Sequence, residues 1–397
     1  MEGELNQAEL PSPQITREEA VRRARVLAEA IRPYVQEAER IRRMPPAVVE
    51  AMLESGLIAL LRPVRFGGYG CDWGLMLDCV TEVGQFSGSI GWCFSFLIHH
   101  QWFVGYYPEA TQAYLYSTDR NPRIVTSFAP VGKVTPAAGG WRLSGDWSFG
   151  SGGDHCDWAV LSAMLPPARE GLPPQYAALL LKPGQFRMRD TWFSIGLKGS
   201  GSNNIAVDDV FVPDSFALDM GAAFGGQAPG SKFLPHPLNQ TPLGAQFQFA
   251  LLCPMLAAAR GAYAAFVEFS AKRLGVLTGR QVAESPMLQS RVGEASGELE
   301  AAYTVLRNHN RRILNRELID PARTPEARRD FAMTAKLALA AVDRLMDAAG
   351  GRGLSESFPL GRHWHDVHAM AAHIALNREE LFQSFGGQAL GVKAAVS

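Results

Sequence analysis

The chain has 397 residues, 47% of them hydrophobic and 19% charged, which is enough for two or three domains and a large buried core. Its 38 lysines and arginines nearly balance 39 aspartates and glutamates, so no overall field favours nucleic acid or an anionic membrane. Five scattered cysteines (Cys71, Cys79, Cys93, Cys156, Cys253) without a CxxC pair argue against a disulfide framework and suit reduced thiols in a cytoplasm.

The N-terminal MEGELNQAELPSPQ is acidic and polar, lacking the basic-then-apolar order of a secretory signal, so no export is expected. From Thr16, a capping residue followed by Glu18 and Glu19, the spacing of Val26, Ala30, Val35 and Ala38 predicts a helix, with Pro33 as a kink. Pro45-Pro46 opens a second helix that Gly56 stops. The glycine-rich loop FGGYGCDW precedes two further helical segments, GLMLDCVTEVG and SIGWCFSFLIHHQWFVGYY. The expected first unit is all-helical, residues 1–118.

The texture then changes to short β-rich runs (RIVTSFA, WRLSG, WAVLSAML, YAALLLKP, IAVDDVFVP) separated by Gly-Gly, Pro-Pro and Pro-Gly turns, a β unit over residues 119–217. A Gly/Pro-rich linker, Gly221 to Pro242, leads to long Ala/Leu/Arg-rich segments that predict a helical bundle within 218–397. The apolar run Phe249 to Ala259 contains Pro254 and is shorter than the roughly 20 residues of a membrane helix. The fold class is therefore α+β, mainly helical, in the order helix, β, helix. That order argues against a Rossmann domain or TIM barrel, and neither GxGxxG after a strand nor GxxxxGK[ST] occurs.

The stretch GDWSFGSGGDH (Gly145 to His155) joins two strands with four glycines, two serines and two large aromatics. Glycines let a flat ligand approach the main chain, and Trp147 and Phe149 offer ring faces; the same composition also suits an ordinary long turn. Near the C-terminus His363, His365, His368 and His373 cluster without the carboxylates of an ExxH di-iron pattern and without HExxH, so a metal is not expected.

Taken in order, FGGYG, GDWSFGSGGDHCDW, WFSIGLKGSGSNNIAVDDVFVP (Trp192 to Pro213) and the His-rich C-terminal helix resemble the acyl-CoA dehydrogenase-like flavoproteins over nearly the whole chain. WCFSFLIHHQW (Trp92 to Trp102), VTSFAP (Val125 to Pro130) and HDVHAMAAH are similar to the oxygenase components of two-component, group D flavin monooxygenases. The p-hydroxyphenylacetate and steroid-degradation phenol hydroxylases belong to that group. The resemblance implies an N-terminal helical domain, a central β-barrel domain and a C-terminal four-helix bundle, assembled as a cytoplasmic homotetramer. It also implies reduced FMN or FAD supplied by a separate reductase, O2 as co-substrate, and hydroxylation of a small, phenolic aromatic through a flavin hydroperoxide, as in aromatic catabolism.

The resemblance places the Ser151 hydroxyl beside the central edge of the flavin ring, with Gly152 making room and Trp147 or Phe149 lining it. As an isolated residue Ser151 would read as a turn serine bonding its own backbone. Thr126 and Ser127 both match a strand-end hydroxyl near flavin and substrate, and the spacing does not choose between them. Trp92 and His100 match the family's Trp, His, Trp pattern on a helix facing the site, although helical periodicity leans towards His99. His373 is the candidate base, falling eight residues after His365-Asp366, which stands where relatives have an Arg-Asp or Arg-Asn pair. His368 is the reserve. A neutral imidazole there would accept a phenol proton and activate the ring. Arg273 matches an arginine set against the flavin phosphate, often across a subunit contact; read alone it is a surface arginine at a helix end.

Acyl-CoA dehydrogenases carry a catalytic Glu beside a Glu-Gly pair, whereas the corresponding region here is LFQSFGGQALG, and Glu379 and Glu380 do not fit. Oxygenation explains that loss better than dehydrogenation. The alternatives are an S- or N-oxygenase of the same fold, a dehydrogenase or oxidase holding FAD tightly, and, in a different class, a non-catalytic helical assembly or binding protein.

Overall fold

A computed structural model describes residues 14–392 except Ala168, Glu170 and 276–278; the acidic stretch before Gln14 lies outside the described residues. Six helices come first: α1 Arg17–Ile31, α2 Val35–Ile41, α3 Pro46–Glu54, α4 Trp73–Gly84, α5 Gly88–Val104 and α6 Glu109–Thr118. Thr16 caps α1 by accepting from the Glu19 N–H, Pro33 lies in the tight turn between α1 and α2, and Gly56 at φ +69° follows the end of α3. α4 and α5 cross at Gly84 and Gly91, where a Cβ on Gly91 would stand 2.6 Å from the Gly84 Cα. Only glycine permits so close a crossing.

Seven strands follow: β1 Ile124–Ala137, β2 Gly140–Gly150, β3 Trp158–Leu165, β4 Gln175–Leu181, β5 Arg187–Arg189, β6 Asn203–Pro213 and β7 Ala217–Asp219. Their order is β5-β6-β2-β1-β3-β4-β7, and every neighbouring pair is antiparallel except β1 with β3. The first half of β1 pairs with β3 and its second half with β2, with an irregularity between Ser127 and Gly132, so the sheet folds over on itself. Trp147 of β2 fills that fold: it is fully buried and its Nε1–H donates to Ser162 O of β3 over 2.9 Å. The sequence missed β5, β7 and the far half of β1, whose residues from Phe128 onward are half-buried or exposed and include two prolines.

The segment read as a linker is structured, holding α7 Met220–Phe224, α8 Pro237–Gln240 and the buried Ala228, Leu234 and Leu238. The bundle is α9 Phe249–Ala271, α10 Pro286–Leu314, α11 Thr324–Ala349, α12 Pro359–Ala371 and α13 Arg378–Ala389. Together with the turns before it, α9 (Leu243–Ala271) is long and apolar enough to cross a bilayer by length and composition, beyond the sequence estimate. It is instead the core helix, with 72% of its most apolar window buried and α4, α5, α10, α11 and α12 packed around it. Pro254 inside α9 cannot donate to Ala250 O, and Ser95 Oγ of α5 donates to that carbonyl over 2.6 Å instead.

Candidate active site

Three rings on one face of α5 lie in a row. Trp92 meets Phe96 edge-on at 4.7 Å between centroids, and Phe96 stacks on His100 at 5.4 Å and 6°. Both nitrogens of His100 are used, Nδ1 against Ile124 O at 2.5 Å and Nε2 against Thr126 Oγ1 at 3.0 Å. A carbonyl can only accept, so Nδ1 carries the proton and Nε2 accepts from the Thr126 hydroxyl. Burial pushes the His100 pKa down to about 4, so the ring is neutral at pH 7. His99 is different: it is buried among Trp73, Trp102 and Phe247, its two nitrogens have no partner, and burial holds its pKa well below the usual value. On β1, Thr126 faces α5 while its neighbour Ser127 donates to Ser148 O at 3.0 Å.

The bend after β2 carries Ser151. Phe149 and Gly152 both take φ +68°, which is strained for the phenylalanine and easy for the glycine. The Gly152 N–H donates to Ser200 O at 2.8 Å. Ser151 Oγ accepts from Trp92 Nε1 at 3.0 Å and is 2.8 Å from Ser202 Oγ, so the bend is tied to the ring row on α5. Phe149 is 67% exposed and meets Trp192 edge-on at 6.2 Å; on the loop after Trp192, Phe193 and Ile195 are 74% and 80% exposed. An exposed apolar strip beside a half-buried hydroxyl bend is the cradle a flat, hydrogen-bonding ring needs, so these residues fit a flavin. Trp147 does not contribute a face: its indole is locked inside the folded sheet, a correction to the sequence expectation, because the alternation of β2 sends it inward.

The end of α12 closes the other side. His373 lies half-buried just beyond the helix, with its ring centroid 6.2 Å from that of Trp92. Its Nδ1 accepts from the Ala375 N–H at 3.1 Å, and burial lowers its pKa to about 4. The proton of the neutral ring therefore sits on Nε2. In this conformation His373 offers a donor there, where the sequence reading made it the base. His368 Nε2 is bonded to Asp343 Oδ1 at 2.8 Å, and Trp364 Nε1 shares the same oxygen at 2.7 Å, so His368 is turned to α11. Arg273 follows α9 with its guanidinium 5.8 Å from the Phe269 ring, forming no ion pair among the described residues. Sequence reasoning missed Phe96, Ser202 and the Phe193–Ile195 strip; the serines of GSGSNN were the one available signal.

Models of the acyl-CoA dehydrogenase N-terminal and C-terminal domains match residues 16–109 and 250–378. The FADH2-dependent resorcinol hydroxylase oxygenase component of a Rhizobium species is 32% identical over 92% of this chain and 93% of its own. The oxygenase subunit of the flavin-dependent monooxygenase HsaA of Rhodococcus jostii is 31% identical over 94% and 98%. The chain belongs to the acyl-CoA dehydrogenase-like flavin-dependent monooxygenases. Like them it is an oxygenase component that works with reduced flavin. A solved structure of XiaF from a Streptomyces species in complex with FADH2 and glycerol aligns with TM-score 0.84 at 25% identity, over 96% of this oxygenase component and 97% of that chain.

Proposed function

We propose that this oxygenase component hydroxylates a small phenolic compound, with reduced FMN or FAD delivered by diffusion from a separate reductase. The observation that carries the reading is the position of Trp92: its N–H is bonded to Ser151, and its ring is 4.7 Å from that of Phe96, which stacks on His100, and 6.2 Å from that of His373, so an aromatic wall stands beside the bend. Reduced flavin, when bound, supplies the activated oxygen. Ser151, Gly152 and Phe149 would hold its ring, Trp92 would wall the chamber, and Ser127 would brace the strand. A phenol donating to Thr126 Oγ1 would pass its proton through that hydroxyl to His100 Nε2, with Ile124 O steadying the imidazolium on the far side. The His373 Nε2–H would hydrogen-bond an acceptor at the other end of the ring row.

The chain would divide into units 1–118, 119–217 and 218–397 and act as a cytoplasmic homotetramer. Arg273, which forms no ion pair among the described residues and whose buried Nε has no hydrogen-bond partner there, supports a flavin phosphate contact completed across subunits. The test supplies reduced flavin chemically, adds oxygen and a panel of phenols including resorcinol, and measures hydroxylated product by mass spectrometry against hydrogen peroxide. Release of all the oxygen as peroxide with every phenol would overturn the proposal.

A further inference from the structure

Behind Ser151 lies a chain of hydroxyls with a direction. Ser151 Oγ is 2.8 Å from Ser202 Oγ, Ser202 Oγ is 2.7 Å from Ser200 Oγ, and Ser200 Oγ is 2.7 Å from Leu197 O. Its two ends cannot reverse, because the Trp92 indole N–H only donates and the Leu197 carbonyl only accepts. Ser200 must therefore donate to Leu197, Ser202 to Ser200 and Ser151 to Ser202. With its one proton committed and one lone pair taken by Trp92, Ser151 has a single lone pair left. It can accept one more hydrogen bond and cannot give one.

The far end of the chain is anchored in the bundle. Leu197 sits in the left-handed region at φ +53°, which a non-glycine residue keeps only when held. Its N–H donates to Asp366 Oδ1 of α12 at 2.7 Å, and Asp366 is fully buried. Nearby, Glu39 of α2 accepts from Ser89 Oγ at 2.7 Å and from the Gly199 N–H at 3.3 Å. Burial first, and then the charge of Glu39, raises the pKa of the Asp366 carboxyl and favours its neutral form, and an asparagine keeps the Oδ1 that accepts from Leu197.

We propose that Ser202 and Ser200, anchored by Asp366 through the Leu197 peptide, fix Ser151 as an obligate acceptor and so make the bend select reduced over oxidised flavin. The chemistry is that of the ring's central nitrogen, which bears a hydrogen in the reduced state and a bare lone pair in the oxidised state. An acceptor-only hydroxyl welcomes the first and repels the second. Asp366 is a positioning residue, acting through the loop. The inference rests on the proposed placement of the flavin at Ser151.

The test is the ratio of dissociation constants for oxidised and reduced FMN and FAD, measured by fluorescence titration with and without dithionite under anaerobic conditions. Ser202→Ala leaves the Ser151 proton free to donate, and the ratio is expected to fall about tenfold, the size of one hydrogen bond exchanged for a repulsion. Ser200→Ala, which removes the link to Leu197, should lower it in the same direction. Asp366→Leu should lower it too, while Asp366→Asn keeps it within about twofold, a rescue that a purely structural loss would not show. An unchanged ratio in Ser202→Ala and Ser200→Ala, with melting temperatures confirming folded protein, overturns the inference. A wild-type chain that binds neither flavin state overturns the proposed function itself.

Discussion

Thr126 Oγ1 stands 3.0 Å from His100 Nε2, and because Nδ1 of the same ring is bonded to Ile124 O, the threonine must be the donor. That direction makes the pair a proton path rather than a static contact. Thr126→Val should remove the path and leave the fold intact, lowering the rate of phenol hydroxylation about 100-fold, the lower range for general-base catalysis. Reduced-flavin affinity should be unaffected. The measurement is single-turnover product formation across pH, where the deficit shrinks as the pH approaches that at which the phenol ionises by itself. A substrate oxygenated at sulfur or nitrogen would show no deficit at any pH.

His373 and His368 separate by their partners. With Nδ1 occupied by the Ala375 N–H, His373→Phe deletes an Nε2–H donor at the chamber and should cost about 100-fold in product formed per turnover, with the missing oxygen appearing as peroxide. His368→Asn loses the bond to Asp343 and the ring contact with Trp364, both away from the Ser151 bend, and should keep product formation within about twofold. Equal losses in the two variants would contradict this assignment.

His363 predicts how the protein responds to acid. Its fully buried ring has an unpartnered Nδ1, and burial first, then the charge of Arg362, lowers its pKa from 6.5 to about 3. Above pH 6.5 the ring is neutral whether folded or unfolded, and nothing is lost. Between pH 6.5 and 3 the unfolded chain takes up a proton that the folded chain refuses, so stability falls as pH falls, by about 1.4 kcal/mol for each pH unit crossed. Urea unfolding midpoints should hold from pH 7.5 to 6.5 and drop from there to pH 4.5, and His363→Leu should make that drop shallower by its own share, the buried His99, His100 and His373 keeping theirs.

Ser95 is the donor that Pro254 makes necessary, so Ser95→Ala leaves the Ala250 carbonyl buried and unpaired inside the bundle. The expected loss is about 1–3 kcal/mol. In the Pro254→Ala background the helix regains its own N–H donor to Ala250, and the penalty for Ser95→Ala should fall below about 1 kcal/mol. A double-mutant cycle by chemical denaturation reads the coupling directly.

Much of the candidate site was legible in residue order, because motif spacing survives without knowledge of side-chain direction: Ser151 and Trp92 are hydrogen-bonded, and Thr126 is bonded to His100 two turns further along α5. The choice between His99 and His100 was not legible. α5 is buried on nearly every side, with Phe96 the half-buried exception, so apolar periodicity carries no information about which face meets the chamber. Trp147 and Phe149 differ by two residues, which regular strand alternation would put on the same face. The positive φ at Phe149 breaks that alternation and turns its ring outward. The β5 and β7 strands are three residues each, too short to show a period.

By itself the sequence determined the helix, β, helix order and its longer elements, since capping, proline, glycine and apolar spacing act over a few neighbouring residues, but not β5, β7, the far half of β1 or the short helices α7 and α8. It also placed the serine-and-glycine bend. Only the tertiary structure decided which atoms carry protons. The donor at His373, the acceptor at His100 and the direction of the serine chain each depend on a partner from a distant segment, and no local rule specifies which way a hydrogen bond points when its two ends come from different parts of the chain.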